Sequence, residues 1–165
     1  MLIRPACLED ADAIAEVQVA SWHAAYRGLM PDDILRSVTF EARSTRWRSI
    51  LSVVPPMSRT TVGVRDDRVV AFASVGDSRD GDGMGEVWAL YAHPTVWSTG
   101  AGRALLVEGI VHLGDRGFDR IILWVLAGNA RAIRFYEAAG FRLDGAAKTE
   151  DRLPHLRMQR AVRLD

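Results

Sequence analysis

Leu90-Tyr91-Ala92-His93-Pro94, continuing through Trp97-Ser98-Thr99-Gly100-Ala101-Gly102-Arg103 into Ala104-Leu105-Leu106-Val107, is the stretch whose reading decides the fold. It reads as strand, glycine loop, helix. Two glycines at a helix start let the backbone come close to a bulky anion, and the unpaired N–H groups of the first turn, backed by the helix dipole, favour phosphate there. A Gly-x-Gly pair also marks bulges and helix starts for structural reasons, so the loop needs context. A dinucleotide fingerprint would place a third glycine where Leu105 stands, and a Walker loop would need Gly-Lys-Ser/Thr; neither motif is present.

The segments on either side supply that context. Thr61 to Arg65, an Asp66-Asp67 turn and Val69 to Val75 predict an antiparallel hairpin, and a polar loop from Ser78 to Gly83 leads into a third strand from Glu86 to Ala92. Ile121-Ile122-Leu123-Trp124-Val125 is a continuous apolar strand, as expected in the middle of a covered sheet. Asn129 is placed to cap a helix over Ala130 to Ala139, with Gly140 as its stop, and Phe141 to Ala147 and Leu156 to Val162 supply two last strands. Ahead of the hairpin, Leu2 to Arg4 predicts a short strand. Asp10 or Asp12 then caps a helix with Ile14, Val17, Ser21 and Ala24 on its inner stripe, and a second helix carries Phe40, Arg43, Trp47, Ile50 and Leu51 up to Pro55-Pro56. The order is βααβββαβαββ, which predicts one α/β domain over residues 1–165.

Composition narrows the partners. Of 165 residues, 48% are hydrophobic and 25% charged, ordinary for a globular domain with its own core. Twenty-one basic residues balance 21 acidic ones, so net charge draws the chain to neither nucleic acid nor an anionic membrane, and any anion site must be local. No stretch approaches the roughly 20 apolar residues of a membrane span, and Met1 to Pro5 lacks the apolar run of a signal peptide. The single cysteine, Cys7, cannot form an internal disulfide; it is expected to be a small buried residue, and a cytoplasmic setting fits. His23, His112 and His155 have no partners at metal-ligand spacing, and the aspartates of the 77 to 83 loop do not match a calcium-loop register, so no metal is expected.

The glycine stretch acquires its meaning from a second block, Asn129-Ala130-Arg131-Ala132-Ile133-Arg134-Phe135-Tyr136-Glu137-Ala138-Ala139-Gly140-Phe141. The two blocks together, from about residue 86 to 142, resemble the GCN5-related N-acetyltransferase (GNAT) family in order and separation. Ser21-Trp22-His23-Ala24-Ala25-Tyr26-Arg27-Gly28-Leu29-Met30-Pro31 resembles the N-terminal helical region of its small bacterial members, which extends the likeness over nearly the whole chain. The resemblance implies a mixed, mostly antiparallel sheet with a central parallel strand pair, flanked by helices. It departs from the family at Trp97, where Gln or Arg is frequent, and at Ser98, which replaces a frequent glycine.

What the resemblance implies about chemistry can be assigned residue by residue. Acetyl-coenzyme A is the cosubstrate and an amine, on a small molecule or a protein, is the acceptor. The loop Trp97, Ser98, Thr99, Gly100, Ala101, Gly102 and Arg103 would hold the pyrophosphate. Backbone groups of Leu90 and Ala92 would pair with the pantetheine arm where two parallel strands splay, and a donor near Leu90 or Tyr91 would face the thioester carbonyl. Asn129 would cap its helix and touch the arm, Tyr136 would protonate the departing thiolate, and Glu86 is the candidate base, with His93 second although its place before Pro94 suggests a turn. Trp22 and Tyr26, one turn apart, form an acceptor wall or a core pair. Arg131 and Arg134 could reach the coenzyme's phosphates, and Asp32, Asp33, Asp77, Asp80 and Asp82 could attract a cationic acceptor. Two other classes compete: an acyl-coenzyme A sensor that binds without turnover, and a nucleotide-binding protein. Monomer and homodimer are both open.

Overall fold

In the computed structural model, which describes residues 1–53 and 55–162, seven strands form one sheet in the order β1-β2-β3-β4-β5-β7-β6. They are β1 (Leu2–Pro5), β2 (Arg59–Arg65), β3 (Arg68–Asp77), β4 (Gly85–Ala92), β5 (Arg120–Leu126), β6 (Arg142–Glu150) and β7 (Leu153–Ala161). All neighbours are antiparallel except β4 and β5. That single parallel contact needs a crossover, and helix α4 (Ala101–Asp115) supplies it. The expected element order stands, with α1 (Ala11–Tyr26) and α3 (Phe40–Ser52) where periodicity put them and α5 (Ala130–Ala138) after its Asn129 cap. One further helix, α2 (Asp32–Ser37), lies between α1 and α3.

Strand alternation sorts the core into two layers. Val75, Val87, Ile121, Leu123 and Val125 point to the face covered by Leu106, Ile110 and Leu113 of α4 and by Phe141, all buried. Val62 and Phe72 point the other way, into Ile14, Ala15 and Val17 of α1 and Trp47 of α3. Trp47 brings a polar edge into this layer, and its Nε1–H donates to Gln18 Oε1 at 2.8 Å, so neither buried polar group is orphaned. Of the expected α1 stripe, Ile14, Val17 and Ser21 are buried, but Ala24 is exposed.

Asp10 and Asp12 do not cap α1 through their side chains. Asp10 accepts from both guanidinium nitrogens of Arg4, at 2.7 and 2.9 Å, and from the Cys7 N–H at 2.9 Å, while Asp12 pairs with Ser44 and Arg48 of α3. These bonds turn the chain between β1 and α1 and leave Cys7 exposed, which corrects the expectation that it is buried. The Arg4 bond, chiefly, lowers the Asp10 carboxyl from 3.8 to about 2. A carboxyl more acidic when folded stabilises the protein above its unfolded pKa, and that stability disappears as the pH falls through the folded value. Asp10→Asn is therefore expected to cost about 2 kcal/mol at neutral pH in urea unfolding. The gap from the parent should narrow as the pH drops from about 4 to about 2, and a pH-independent gap would disprove the linkage.

Candidate active site

The site begins where the parallel pair ends. β4 and β5 are in register only at Gly85–Ile121 and Glu86–Ile122. Immediately beyond, Trp88 has no partner on β3, because Ser74 faces Ala89 and Val75 faces Val87. An extra residue of this kind bends a strand, and here it lies where β4 departs from β5. The His93 N–H donates to Val70 C=O at 2.8 Å, which sets the phase of the β3–β4 ladder. By antiparallel alternation the backbone of Tyr91 is committed to β3, whereas the N–H and C=O of Leu90 and Ala92 face the gap. Tyr91 thus offers its side chain to the gap and not its amide. The Ala92 C=O accepts from Trp97 Nε1–H at 2.7 Å, so the gap keeps both Leu90 groups and the Ala92 N–H.

The gap widens into a cavity of about 870 Å³, walled by β4 from Val87 to Ala92, by Trp124 to Leu126 of β5, by α1, and by the first turns of α4 and α5. At one end lies the glycine loop. Gly100 is left-handed, φ 87°, and opens α4 without a side-chain cap. Ala104 is the first residue of the helix whose N–H finds a partner, the Gly100 C=O at 3.0 Å, so the N–H groups of Gly100, Ala101, Gly102 and Arg103 have no partner among the described residues. This is the donor array a phosphate needs. Ser98 is also left-handed, φ 63°, which gives a physical reason for a glycine at that position; a side chain there costs about 1 kcal/mol. Thr99 does not line the cavity, its hydroxyl donating to Val96 C=O at 2.8 Å.

Trp97 lines the cavity just ahead of this array in the chain, fixed by its bond to Ala92. The Arg131 guanidinium of α5 stacks on its ring, 3.8 Å from the centroid. A cation thus reaches the rim from the opposite helix. Arg103 and Arg134 also line the cavity. Asn129 accepts from Ala132 N–H at 3.0 Å and lines the cavity, so capping and facing a ligand coexist.

Tyr136 stands on the α5 wall between the rings of Phe135 and Phe141, 5.1 and 5.8 Å away. Burial drives its phenol well above the ordinary tyrosine range, so it stays protonated. The far end of the cavity is aromatic and apolar. Trp22 meets Tyr26 edge-on at 5.1 Å and Tyr91 at 6.3 Å, with Met30 and the Leu126–Leu153 contact beside them. Burial raises the Tyr26 and Tyr91 phenols as well.

Glu86 is placed differently from what its role as candidate base requires. It is 4% exposed and off the cavity wall, and its Oε2 accepts the Arg79 N–H at 2.8 Å, fastening the loop that follows β3. Burial raises its carboxyl pKa. His93 is a turn residue, its ring bonded to Thr95, and is likewise off the wall. The aspartates are also elsewhere: Asp80 and Asp82 pair with Arg157, and Asp33 with Arg152. His155, set aside in the sequence for want of metal partners, does line the cavity. No cluster of three metal-ligating side chains occurs among the described residues.

A family model described as the acetyltransferase (GNAT) family matches residues 19–141. An uncharacterized N-acetyltransferase of Bacillus subtilis (strain 168), YuaI, is 36% identical over 143 residues, 82% of this chain and 77% of the relative. Among solved structures, the PaiA N-acetyltransferase of Thermoplasma acidophilum, in complex with coenzyme A, superposes with a TM-score of 0.78 at 20% identity, over 97% of this chain and 98% of that one. The yncA protein of Salmonella typhimurium, with its cofactor acetyl-CoA, gives a TM-score of 0.73 at 25% identity, over 100% and 95%.

Proposed function

This chain belongs to the acetyltransferase (GNAT) family, and we propose that it transfers the acetyl group of acetyl-coenzyme A to an amine by direct attack, with Tyr136 protonating the departing sulfur. The observation that carries the reading is one cavity joining three things: free N–H groups at the start of α4, strand-edge groups of Leu90 and Ala92, and the protonated phenol of Tyr136. The α4 array with Arg103 suits a pyrophosphate, and the unpaired β4 edge suits a chain of amides lying as an extra strand. Bound there, acetyl-coenzyme A supplies the activated acetyl thioester. The Leu90 N–H, turned into the gap, is a backbone donor available for charge developing on the acetyl oxygen. Glu86 serves as a positioning residue that holds the loop after β3.

The wall of the far end narrows the acceptor. Of the candidate carboxylates, Asp80 and Asp82 are tied to Arg157 and Asp33 to Arg152, and the half-buried rings of Trp22, Tyr26 and Tyr91 line the cavity and offer contact to an apolar body. We assign as acceptor a monoamine on an apolar or aromatic frame. Coenzyme A release, corrected for hydrolysis, should be faster with 2-phenylethylamine than with spermidine or an aminoglycoside. The reverse preference would refute the acceptor class, and no amine-dependent release from any of them would refute the transferase. We assign the protein to the cytoplasm, a reducing compartment that suits the exposed thiol of Cys7.

The stacked pair at the rim yields its own expectation. Arg131→Ala removes a cation that the Trp97 ring holds on the cavity wall, and Trp97→Ala frees that cation to swing away; each should weaken coenzyme A binding about tenfold at low salt. The loss should shrink as ionic strength rises. Calorimetric titrations that show either variant binding like the parent would remove the pair from the coenzyme site.

A further inference from the structure

The proposed transfer requires an acceptor nitrogen without its extra proton, and the cavity contains a group suited to take it. β7 pairs with β5 and β6 so that His155 stands opposite Leu126 on one side and Lys148 on the other. Leu126 and Trp124 share this face of the sheet with α1, and His155 lines the cavity at its aromatic end. The His155 Nδ1 lies 3.0 Å from the Leu153 C=O. A carbonyl only accepts, so Nδ1 carries a hydrogen and donates it, and in the neutral ring Nε2 is then the nitrogen left to accept a proton.

No other ionisable group on the wall is placed to accept a proton. Burial keeps the phenols of Tyr26, Tyr91 and Tyr136 protonated, and the remaining ionisable wall residues are three arginines, which only donate. Glu86 is off the wall and engaged by Arg79. Lys148, the charged neighbour across the ladder, is held by Glu150 at 3.2 Å and stacked on Trp124, 4.4 Å from the ring centre.

The geometry points to His155 as the general base that deprotonates the acceptor. The ammonium gives one proton to Nε2 and becomes a neutral amine. Its nitrogen attacks the thioester carbonyl, the C–N bond forms and the C–S bond breaks. The sulfur takes the Tyr136 proton, the second nitrogen proton restores the phenol, and His155 returns its proton to water, so one proton is released per turnover.

This inference rests on the transferase reading, and two measurements keep their failures apart. In the free protein, imidazole ¹⁵N shifts, assigned by loss of the signal in His155→Gln, should show Nδ1 protonated and Nε2 bare. An Nε2–H tautomer would overturn the assignment whether or not the protein turns over. In the assay that shows parent turnover, His155→Ala should lower kcat about a hundredfold while leaving KM for acetyl-coenzyme A unchanged, and added imidazole should restore part of the rate. An unchanged kcat would overturn the proposal. So would a loss that imidazole does not relieve and that coenzyme binding shares, because that pattern marks a structural role.

Discussion

Tyr136→Phe should cut the rate of amine-dependent coenzyme A release by about a hundredfold or more, the usual contribution of a positioned general acid, while coenzyme affinity stays at the parent value. The phenol lies between Phe135 and Phe141, and removing one hydroxyl leaves that aromatic packing in place. What disappears is the donor facing the cavity. Because burial holds the phenol protonated through the neutral range, the parent keeps its acid form at every pH where an amine is free to attack. The expected signature is a lower kcat with unchanged coenzyme binding; if kcat stays at the parent level, Tyr136 is not the acid.

Gly100→Val should have the second large effect, on the donor instead of the chemistry. Gly100 opens α4 at φ 87°, a conformation that costs an ordinary L-residue roughly 1–2 kcal/mol and a β-branched one more. No atom lies within 4 Å of a Cβ added there, so the obstacle is backbone conformation and not crowding. Relaxing φ rotates the N–H groups of Gly100 and Ala101 off the phosphate position. Losing one or two charge-assisted hydrogen bonds weakens binding by about ten- to a hundredfold. Gly102→Ala is the contrast: its Cβ would meet Phe135 Cζ at 3.6 Å, an ordinary contact, and the fold should hold. A folded Gly100→Val protein that binds coenzyme A with parent affinity would remove the cradle from the account.

The elements that could be read from the sequence were those with a local signal. The extended runs of β2 to β4, the continuous apolar run of β5, the Asn129 cap, the Gly140 stop and the Gly100 helix start each depend on residues a few positions apart, and all stand in the structure. Helix α2 escaped because six residues between Pro31 and Val38 are too short to show a period. Glu86 reads as a candidate base until the loop after β3 folds over it, and Cys7 reads as buried until Asp10 turns the chain outward. The cations stacked on Trp22, Trp97 and Trp124 come from distant elements, which no local pattern announces. His155 was passed over for a related reason: a search for metal partners asks about other histidines, whereas its lone pair depends on a carbonyl two residues back and on a cavity built by other strands.

The central claim is acetyl transfer within this one cavity, and a single-turnover experiment tests it most directly. Acetyl-coenzyme A labelled with ¹³C in the acetyl carbonyl is mixed with excess protein and 2-phenylethylamine, and the products are resolved by mass spectrometry. The account predicts that the label moves quantitatively from the thioester to the amine nitrogen, with one free coenzyme A formed per label transferred. Labelled acetyl-coenzyme A that stays bound and intact, with every amine offered, would contradict it and identify the cavity as that of a sensor.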